Sequence, residues 1–286
     1  MFSKYFGAFI FVLSAAVGSA LYAVDPTDGK SREISRSDRK LIAASTYGFT
    51  GNALSQRFQF PADASDGNFG IDVSHFNGDI NWQNMAADGV KFVYIKATQG
   101  KDIVDAKFEA NWTGAKAAGL KVGAYHFLSS LDPAEEQVTN FLNTYQKLGV
   151  EKGGDADLPA VLDVEWDFST AAADGHQTDR WATHSASSIA STVEAWLAAV
   201  EKTTKKSPLI YTNTTWWTQR VGASGDDLAK TYKLWISDYT LSNLQSDTPV
   251  APQGFEVDLW QFTDRGGVKG LIGPVDVNKD LNLQMN

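Results

Sequence analysis

A pair of acidic residues ends an apolar run near the middle of the chain. Residues 158–166 read LPAVLDVEW, so that Asp163 and Glu165 stand two positions apart. If the run is a β-strand, both side chains point to the same side, because side chains alternate along a strand. Two carboxyl groups so close in a cleft of low dielectric cannot both ionise freely, and one can hold a proton near neutral pH. Such a pair suits general acid catalysis, as in the cleavage of a glycosidic bond.

Other predicted strands end in residues that would share this site. Two more acids, Asp72 and Asp276, stand at predicted strand ends. Further candidates, for substrate binding, are Tyr125, His126, Trp166, Tyr211, Trp235, Trp260 and Gln261. Strand-end acids also cap helices or bind cations, so the pair in LDVE is by itself a weak sign of catalysis.

A metal site is one alternative for these residues. His75, His126 and Asp72 carry the ligand atoms that zinc accepts. No HExxH or similarly tight spacing supports that interpretation. We therefore expect neither a metal nor another cofactor.

Strand and helix candidates alternate from Phe69 onward. Strand-like segments cover residues 70–76, 91–98, 120–128, 157–165, 207–213, 232–239, 255–262 and 273–278. Helix-like segments cover residues 81–89, 105–119, 133–149 and 184–206. This order is typical of βα units around a parallel sheet, and about eight strands fit one closed barrel. We predict an α/β fold with a single TIM-like βα barrel, regular in its first half and degenerate and strand-rich in its second.

An open, doubly wound sheet is the main structural alternative. No Gly-rich phosphate loop follows any predicted strand, which removes the usual reason for that fold. In a βα barrel the C-terminal strand ends share one face, where catalytic groups collect. The four acids are therefore expected to meet there.

The N-terminal segment has the features of an export signal. Lys4 precedes the apolar stretch FGAFIFVLSAAV, and small residues follow, with Ala20 or Ala23 as cleavage points. An uncleaved anchor is the alternative, since residues 5–24 lack charge. We predict a signal peptide over residues 1–23, a spacer over 24–68 and a catalytic barrel over 69–286. The mature protein would then be secreted or periplasmic, without stable membrane insertion.

Composition excludes several classes of protein. With 43% hydrophobic residues in 286, a packed core is expected. The net charge of −9 argues against nucleic-acid binding, which needs clustered cations. The chain has no cysteine, which rules out disulfides and thiolate metal sites. The oligomeric state is not encoded in any pattern, and we favour a monomer.

Taken together, the motifs resemble the glycoside hydrolase family 25 lysozymes, the Chalaropsis-type N-acetylmuramidases. The resembling segments are GIDVSHFNGDINW (70–82), KFVYIKATQG (91–100), LKVGAYHFL (120–128), LPAVLDVEW (158–166), PLIYTN (208–213), LWISDY (234–239) and LWQFTDRGGVKGLIGPVDVN (259–278). They occur in the order of the family. The resemblance implies a βα barrel that hydrolyses the β-1,4 bond between N-acetylmuramic acid and N-acetylglucosamine in peptidoglycan glycan strands.

The resemblance also implies roles for residues. The family's general acid corresponds to Glu165, and Asp163 would be the acid that orients or stabilises the reacting group. Asp72 and Asp276 match the two remaining family acids. Retention of anomeric configuration is implied, through the substrate's acetamido group or an enzyme carboxylate. The aromatic positions that line the family's sugar groove correspond to Tyr125, Tyr211, Trp235 and Trp260.

Two departures and two alternative functions accompany this resemblance. Gln99 stands in KATQG where the family commonly has an acid, and residues 166–185 form a long loop after the acid pair. A barrel that binds glycan without turnover is one alternative, because a fold does not prove an activity. A metal-dependent deacetylase or amidase on the same fold is the other.

Overall fold

The computed structural model describes residues 58–64, 67–148, 156–169, 177–240 and 243–283, together with three short strands nearer the N-terminus. The chain divides into two units. One combines residues 1–50 with 166–183, and the other combines residues 51–165 with 184–286.

The first unit contains a small antiparallel sheet. Its strands are β1 (Phe11–Leu13), β2 (Leu21–Val24) and β3 (Ser31–Ile34), with β2 in the centre. The rest of residues 1–57 lies outside the described part, so the signal peptide and the spacer stay predictions. No helix among the described residues has the length and apolar character needed to cross a membrane.

Within the second part of this unit, the described residues 166–169 and 177–183 contact each other. Phe168 and Asp179 pair as an isolated bridge, and a 3-10 turn follows at Arg180–Thr183. The Arg180 guanidinium donates to Asp167 Oδ1 at 2.7 Å. Trp166 stacks on Phe168, with ring centroids 6.1 Å apart.

The second unit is built on one sheet of nine strands. They are β4 (Phe69–Val73), β5 (Phe92–Gln99), β6 (Ile103–Val104), β7 (Lys121–Phe127), β8 (Val161–Asp163), β9 (Leu209–Thr212), β10 (Lys233–Ser237), β11 (Val257–Gly266) and β12 (Val275–Asp280). Around the barrel the order is β4-β5-β7-β8-β9-β10-β11-β12, and β12 pairs with β4 to close the ring. Strand β6 is a short addition to β5. All neighbours in the ring are parallel except those of β12, which runs antiparallel to both.

The helices explain why the barrel is uneven. Those that follow the first strands and β8 are α1 (Trp82–Ala87), α2 (Phe108–Ala117), α3 (Ala134–Gln146) and α4 (Ala186–Thr204). Two further short helices, α5 (Thr214–Arg220) and α6 (Asp226–Thr231), come after β9. No helix lies between β10 and β12 within the described residues 238–240 and 243–274. The predicted barrel, regular first and strand-rich later, is therefore confirmed.

Helix α4 shows how sequence fixes one of these elements. Ser185 caps its start, because the Ser185 hydroxyl accepts from the Ser188 amide at 3.1 Å. The buried residues recur at helical spacing and form one apolar stripe: Ile189, Ala190, Val193, Trp196, Leu197, Val200 and Thr204. Burying each large side chain in such a stripe contributes about 1.5–3 kcal/mol.

Inward side chains fill the barrel interior. The interior cluster consists of Phe92, Tyr94, Tyr125, Leu158, Val161, Leu209, Tyr211, Trp235, Leu259 and Leu283. Because strand side chains alternate, every second residue of these strands points into the barrel and its neighbours point to the helices. This alternation decides which predicted site residues reach the interior.

A short segment before β4 packs on the barrel. Phe58 contacts Phe69 and Phe262, with centroids 5.0 and 5.2 Å apart, and the Phe60 amide donates to Gly267 O at 3.0 Å. Phe58 and Phe60 are buried. The folded unit thus includes residues ahead of the boundary predicted at Phe69.

Candidate active site

Asp72 and Asp276 lie side by side at one rim of the barrel. They are register partners on β4 and β12. Asp276 is the second residue of β12, so it stands at the beginning of a strand, not at the end as predicted from the sequence. It still reaches the rim where the other strands end, because β12 is antiparallel to its neighbours.

The acid pair of LDVE stands at the end of β8. Asp163 is the last residue of the strand and is in register with Phe127 of β7 and Tyr211 of β9. Val164 is fully buried, whereas Glu165 is half-buried. Exposures of 4% for Asp72, 7% for Asp163 and 2% for Asp276 make Glu165 the most accessible of the four acids.

The half-buried phenol of Tyr239 lies within the electrostatic influence of several acids at this rim. Burial raises the pKa of Tyr239 well above its usual value, and the charges of Asp276, Asp264, Asp72 and Glu165 raise it further. Three of the four predicted acids therefore act on a single group. The structure brings them together although they are scattered along the chain.

Asp72 is held by two amide side chains. Its Oδ2 accepts from Gln261 Nε2 at 2.8 Å and from Asn278 Nδ2 at 2.9 Å. Trp235 Nε1 donates to Asn278 Oδ1 at 2.8 Å. Because an indole can only donate, this contact determines which end of the Asn278 amide faces Asp72.

The Gln261 amide is oriented in the same way. Its Oε1 accepts from the Tyr211 hydroxyl at 2.8 Å and also from the Tyr239 hydroxyl. Its Nε2 is thereby directed to Asp72. Two N–H donors on one oxygen suit a carboxylate that is ionised, since hydrogen bonds to the charged form favour it.

Most predicted substrate-binding aromatic residues form the floor of the site. Tyr125, Tyr211 and Trp235 point into the barrel and belong to its interior cluster. All three are buried. Trp166 belongs to the other unit, where it is half-buried beside Phe168.

The structure does not bring His126 and Trp260 to the acids. Their strand neighbours Tyr125 and Gln261 point inward, so these two rings point outward and are fully buried. The His126 ring lies 2.7 Å from Thr98 Oγ1 and 3.2 Å from Gln137 Oε1. Both were predicted to contact sugar. The alternation of side chains along β7 and β11 places them instead on the outer side of the barrel wall.

The Trp260 and His126 rings make packing and hydrogen-bond contacts within the protein. Trp260 Nε1 donates to the Asp238 carbonyl at 2.8 Å, and its ring packs on Phe262. The His126 ring stacks on Trp196 of α4, with centroids 5.6 Å apart. These contacts join the barrel wall to the layer outside it.

His126 is expected to make stability fall in acid. Burial lowers its pKa from 6.5 to about 3, so the folded protein keeps it neutral while the unfolded chain protonates it. Its stabilising contribution is complete above pH 6.5 and is lost as the pH falls towards 3. Between pH 6.5 and 4.5 this group should remove about 2 kcal/mol of unfolding free energy. Urea unfolding at both pH values should show a smaller decrease for His126→Gln. Equal decreases for both proteins would contradict this assignment.

A lysine outside the predicted set also points to the barrel interior. Lys96 follows Phe92 and Tyr94 on the inward side of β5, and it is buried. Its ammonium donates to Gln99 Oε1 at 2.7 Å and lies 5.1 Å from the centroid of Phe127. Gln99, the departure noted in KATQG, is thus the neutral partner of a buried cation.

The three residues considered as metal ligands lie apart. His75 is bonded to Asp105 at 2.6 Å, and His126 faces the outside of the barrel. Asp72 is held by Gln261 and Asn278. Across the described ranges, no three His, Asp or Glu side chains are grouped as metal ligands.

Comparisons with known proteins agree with this geometry. The family model Glycosyl hydrolases family 25 matches residues 71–271. Lysozyme M1 of Streptomyces globisporus is 35% identical over 77% of this chain and 69% of its own. The N,O-diacetylmuramidase of Chalaropsis sp is 27% identical over 74% of this chain and 97% of its own. The crystal structure of the bacterial lysozyme from Streptomyces coelicolor aligns with a TM-score of 0.63 and 30% identity, covering 77% of this chain and 94% of that one. The chain belongs to glycosyl hydrolases family 25 and is a glycoside hydrolase.

Proposed function

We propose that this enzyme is a lysozyme, which hydrolyses the β-1,4 bond between N-acetylmuramic acid and N-acetylglucosamine in peptidoglycan. The observation that carries the proposal is the set of four acids at one barrel rim, of which Glu165 is half-buried and the other three are buried. The names of similar proteins, Lysozyme M1 and N,O-diacetylmuramidase, support the same substrate.

In this proposal Glu165 is the general acid. It protonates the oxygen of the leaving N-acetylglucosamine, which requires access to the substrate, and it is the most accessible of the four acids. Asp163, two residues earlier, orients or stabilises the reacting group. Hydrolysis proceeds with retention, through the substrate's acetamido group or through an enzyme carboxylate.

Asp72, with Asp276 as its register partner, supplies negative charge on the opposite part of the rim. Positive charge develops at the anomeric carbon in the transition state, and fixed carboxylates nearby stabilise it. The amide donors on Asp72 support an ionised form for this purpose. The residues beneath the acids support the site and do not line its sides. They are Tyr125, Tyr211, Trp235 and Gln261, all of which are buried.

The organisation of the chain completes the proposal. Residues 1–23 act as a signal peptide, residues 24–68 lead into the barrel, and the mature enzyme is secreted or periplasmic. It acts as a monomer without a metal. Its partner is the glycan strand. Because the protein carries a net negative charge, its binding does not depend on attraction to anionic polymers.

A reducing-end assay with and without a chelator separates this function from its alternatives. Purified peptidoglycan incubated with the enzyme should gain new reducing ends at a rate unchanged by EDTA. A barrel that only binds glycan would retain peptidoglycan and release none. A metal-dependent deacetylase would release acetate instead and would be inhibited by EDTA.

A further inference from the structure

The turn that follows β4 carries an aromatic side chain outside the site described above. Phe76 is 50% exposed, and it is the only aromatic residue among the exposed large hydrophobic residues of the described ranges. Val73 is the last residue of β4, so the turn stands on the rim that holds the acids, four residues beyond Asp72. Exposed apolar surface beside a cleft commonly marks a binding surface.

This turn is held rigidly. The Ser74 amide donates to Asn77 Oδ1 at 2.8 Å, and the Phe76 amide donates to Ser74 Oγ at 3.4 Å, which forms a capping box. The His75 amide contacts both carboxylate oxygens of Asp105, at 3.1 and 3.0 Å. A ligand that contacts Phe76 would therefore not have to order the turn first.

His75 adds a polar edge to the aromatic face. Its Nδ1 donates to Asp105 Oδ2 at 2.6 Å, and its ring contacts that of Phe76, with centroids 3.9 Å apart. The His75 side chain is 38% exposed, and Nε2 lies on the side of the ring away from Asp105. A flat apolar ring next to a hydrogen-bonding nitrogen matches the chemistry of a pyranose, which has an apolar C–H face and polar hydroxyl groups.

The turn lies beyond Asp72, across the barrel from Glu165. Three steps around the ring, from β4 through β5 and β7, lead to β8, which carries Asp163 and precedes Glu165. A sugar held between Glu165 and Asp72 would occupy the rim itself. A sugar on Phe76, four residues past Asp72, would be another ring of the same glycan strand.

We propose that Phe76 and His75 form a further sugar subsite, which binds an N-acetylhexosamine ring of the glycan away from the bond that is cleaved. The inference rests on the proposed function, because its ligand is the same glycan strand. Contact with this subsite would make the enzyme prefer long glycans to short ones.

Chain-length dependence tests the subsite. Oligosaccharides of two and of four N-acetylglucosamine–N-acetylmuramic acid units are compared as substrates of the full-length enzyme. Phe76→Ala should lower kcat/KM on the longer substrate by about three- to tenfold, through KM, and change the shorter one by less than about twofold. Phe76→Leu keeps apolar volume but no aromatic face, so it should behave like Ala. Phe76→Trp should retain the wild-type preference. Melting temperatures should stay within about 1 °C, because the side chain is exposed.

The outcomes separate the subsite from the proposed function. A wild-type enzyme that cleaves neither oligosaccharide nor peptidoglycan overturns the function itself. A wild type that cleaves both, with Phe76→Leu showing wild-type kinetics on the longer one, overturns the subsite alone. A loss of equal size on both substrates through kcat would also overturn it, because Phe76 would then act at the scissile bond.

Discussion

Replacement of Glu165 by Gln is expected to lower the rate of peptidoglycan hydrolysis by about 10² or more. Glutamine keeps the size of the side chain but cannot deliver a proton to the leaving oxygen. The decrease should appear in kcat, while the affinity for a glycan oligosaccharide stays within a few-fold. Reducing-end release under saturating substrate measures the first quantity, and titration calorimetry measures the second.

Glu194→Gln provides a matched control for this prediction. Glu194 is exposed on α4 and undergoes the same chemical change without a role in the site. Its rate should stay within about twofold of wild type, as surface substitutions usually have small effects. If Glu165→Gln keeps the wild-type rate, the general acid has been assigned to the wrong residue.

Replacement of Gln261 by Glu is expected to change both the rate and its pH dependence. At acidic pH the introduced carboxyl group is protonated and can donate to Asp72 as the amide does. As the pH rises, the introduced group ionises and repels Asp72, because two adjacent carboxylates disfavour joint ionisation. Activity should therefore fall about 10- to 100-fold near neutral pH and recover partly in acid. A kcat–pH profile measures the shift of the alkaline limb to lower pH.

Two further variants show whether the effect depends on the amide donor. Gln261→Met has similar length but no donor, so it should lose activity at every pH without moving the profile. Gln146→Glu adds the same charge at the exposed end of α3 and should leave rate and profile unchanged. An unshifted profile for Gln261→Glu would show that Gln261 does not control the charge of Asp72.

The barrel itself is predictable from the sequence because two periodicities alternate along the chain. Strand candidates at 91–98 and 120–128 became β5 and β7, and the helix candidate at 184–206 became α4. The direction of the last strand is not predictable in this way. Residues 273–278 have the same alternation whether the strand runs parallel or antiparallel, so the place of Asp276 on β12 followed only from strand pairing.

The alternation of side chains along a strand separates inward from outward residues in the sequence itself. His126 follows Tyr125 directly, and Trp260 precedes Gln261. Adjacent residues of a strand face opposite sides, so only one residue of each pair can point into the barrel. Applied strand by strand, that rule would have removed His126 and Trp260 and would have added Lys96.

Other members of the site have no comparable local signal. Tyr239 follows β10 and Asn278 lies within β12, in motifs that predict no role for either residue. Their importance depends on contacts with Gln261 and Asp72, from residues that are distant in the chain. Only tertiary structure can reveal such contacts, because no short-range pattern encodes which strands become neighbours.

The identity of the new reducing ends tests the central proposal most directly. Peptidoglycan digested by the wild-type enzyme is reduced with borohydride, and the products are analysed by mass spectrometry. Reduced N-acetylmuramic acid at the new ends, absent from a Glu165→Gln digest, is the predicted result. Reduced N-acetylglucosamine at those ends, or no new ends at all, would contradict hydrolysis of the bond proposed here.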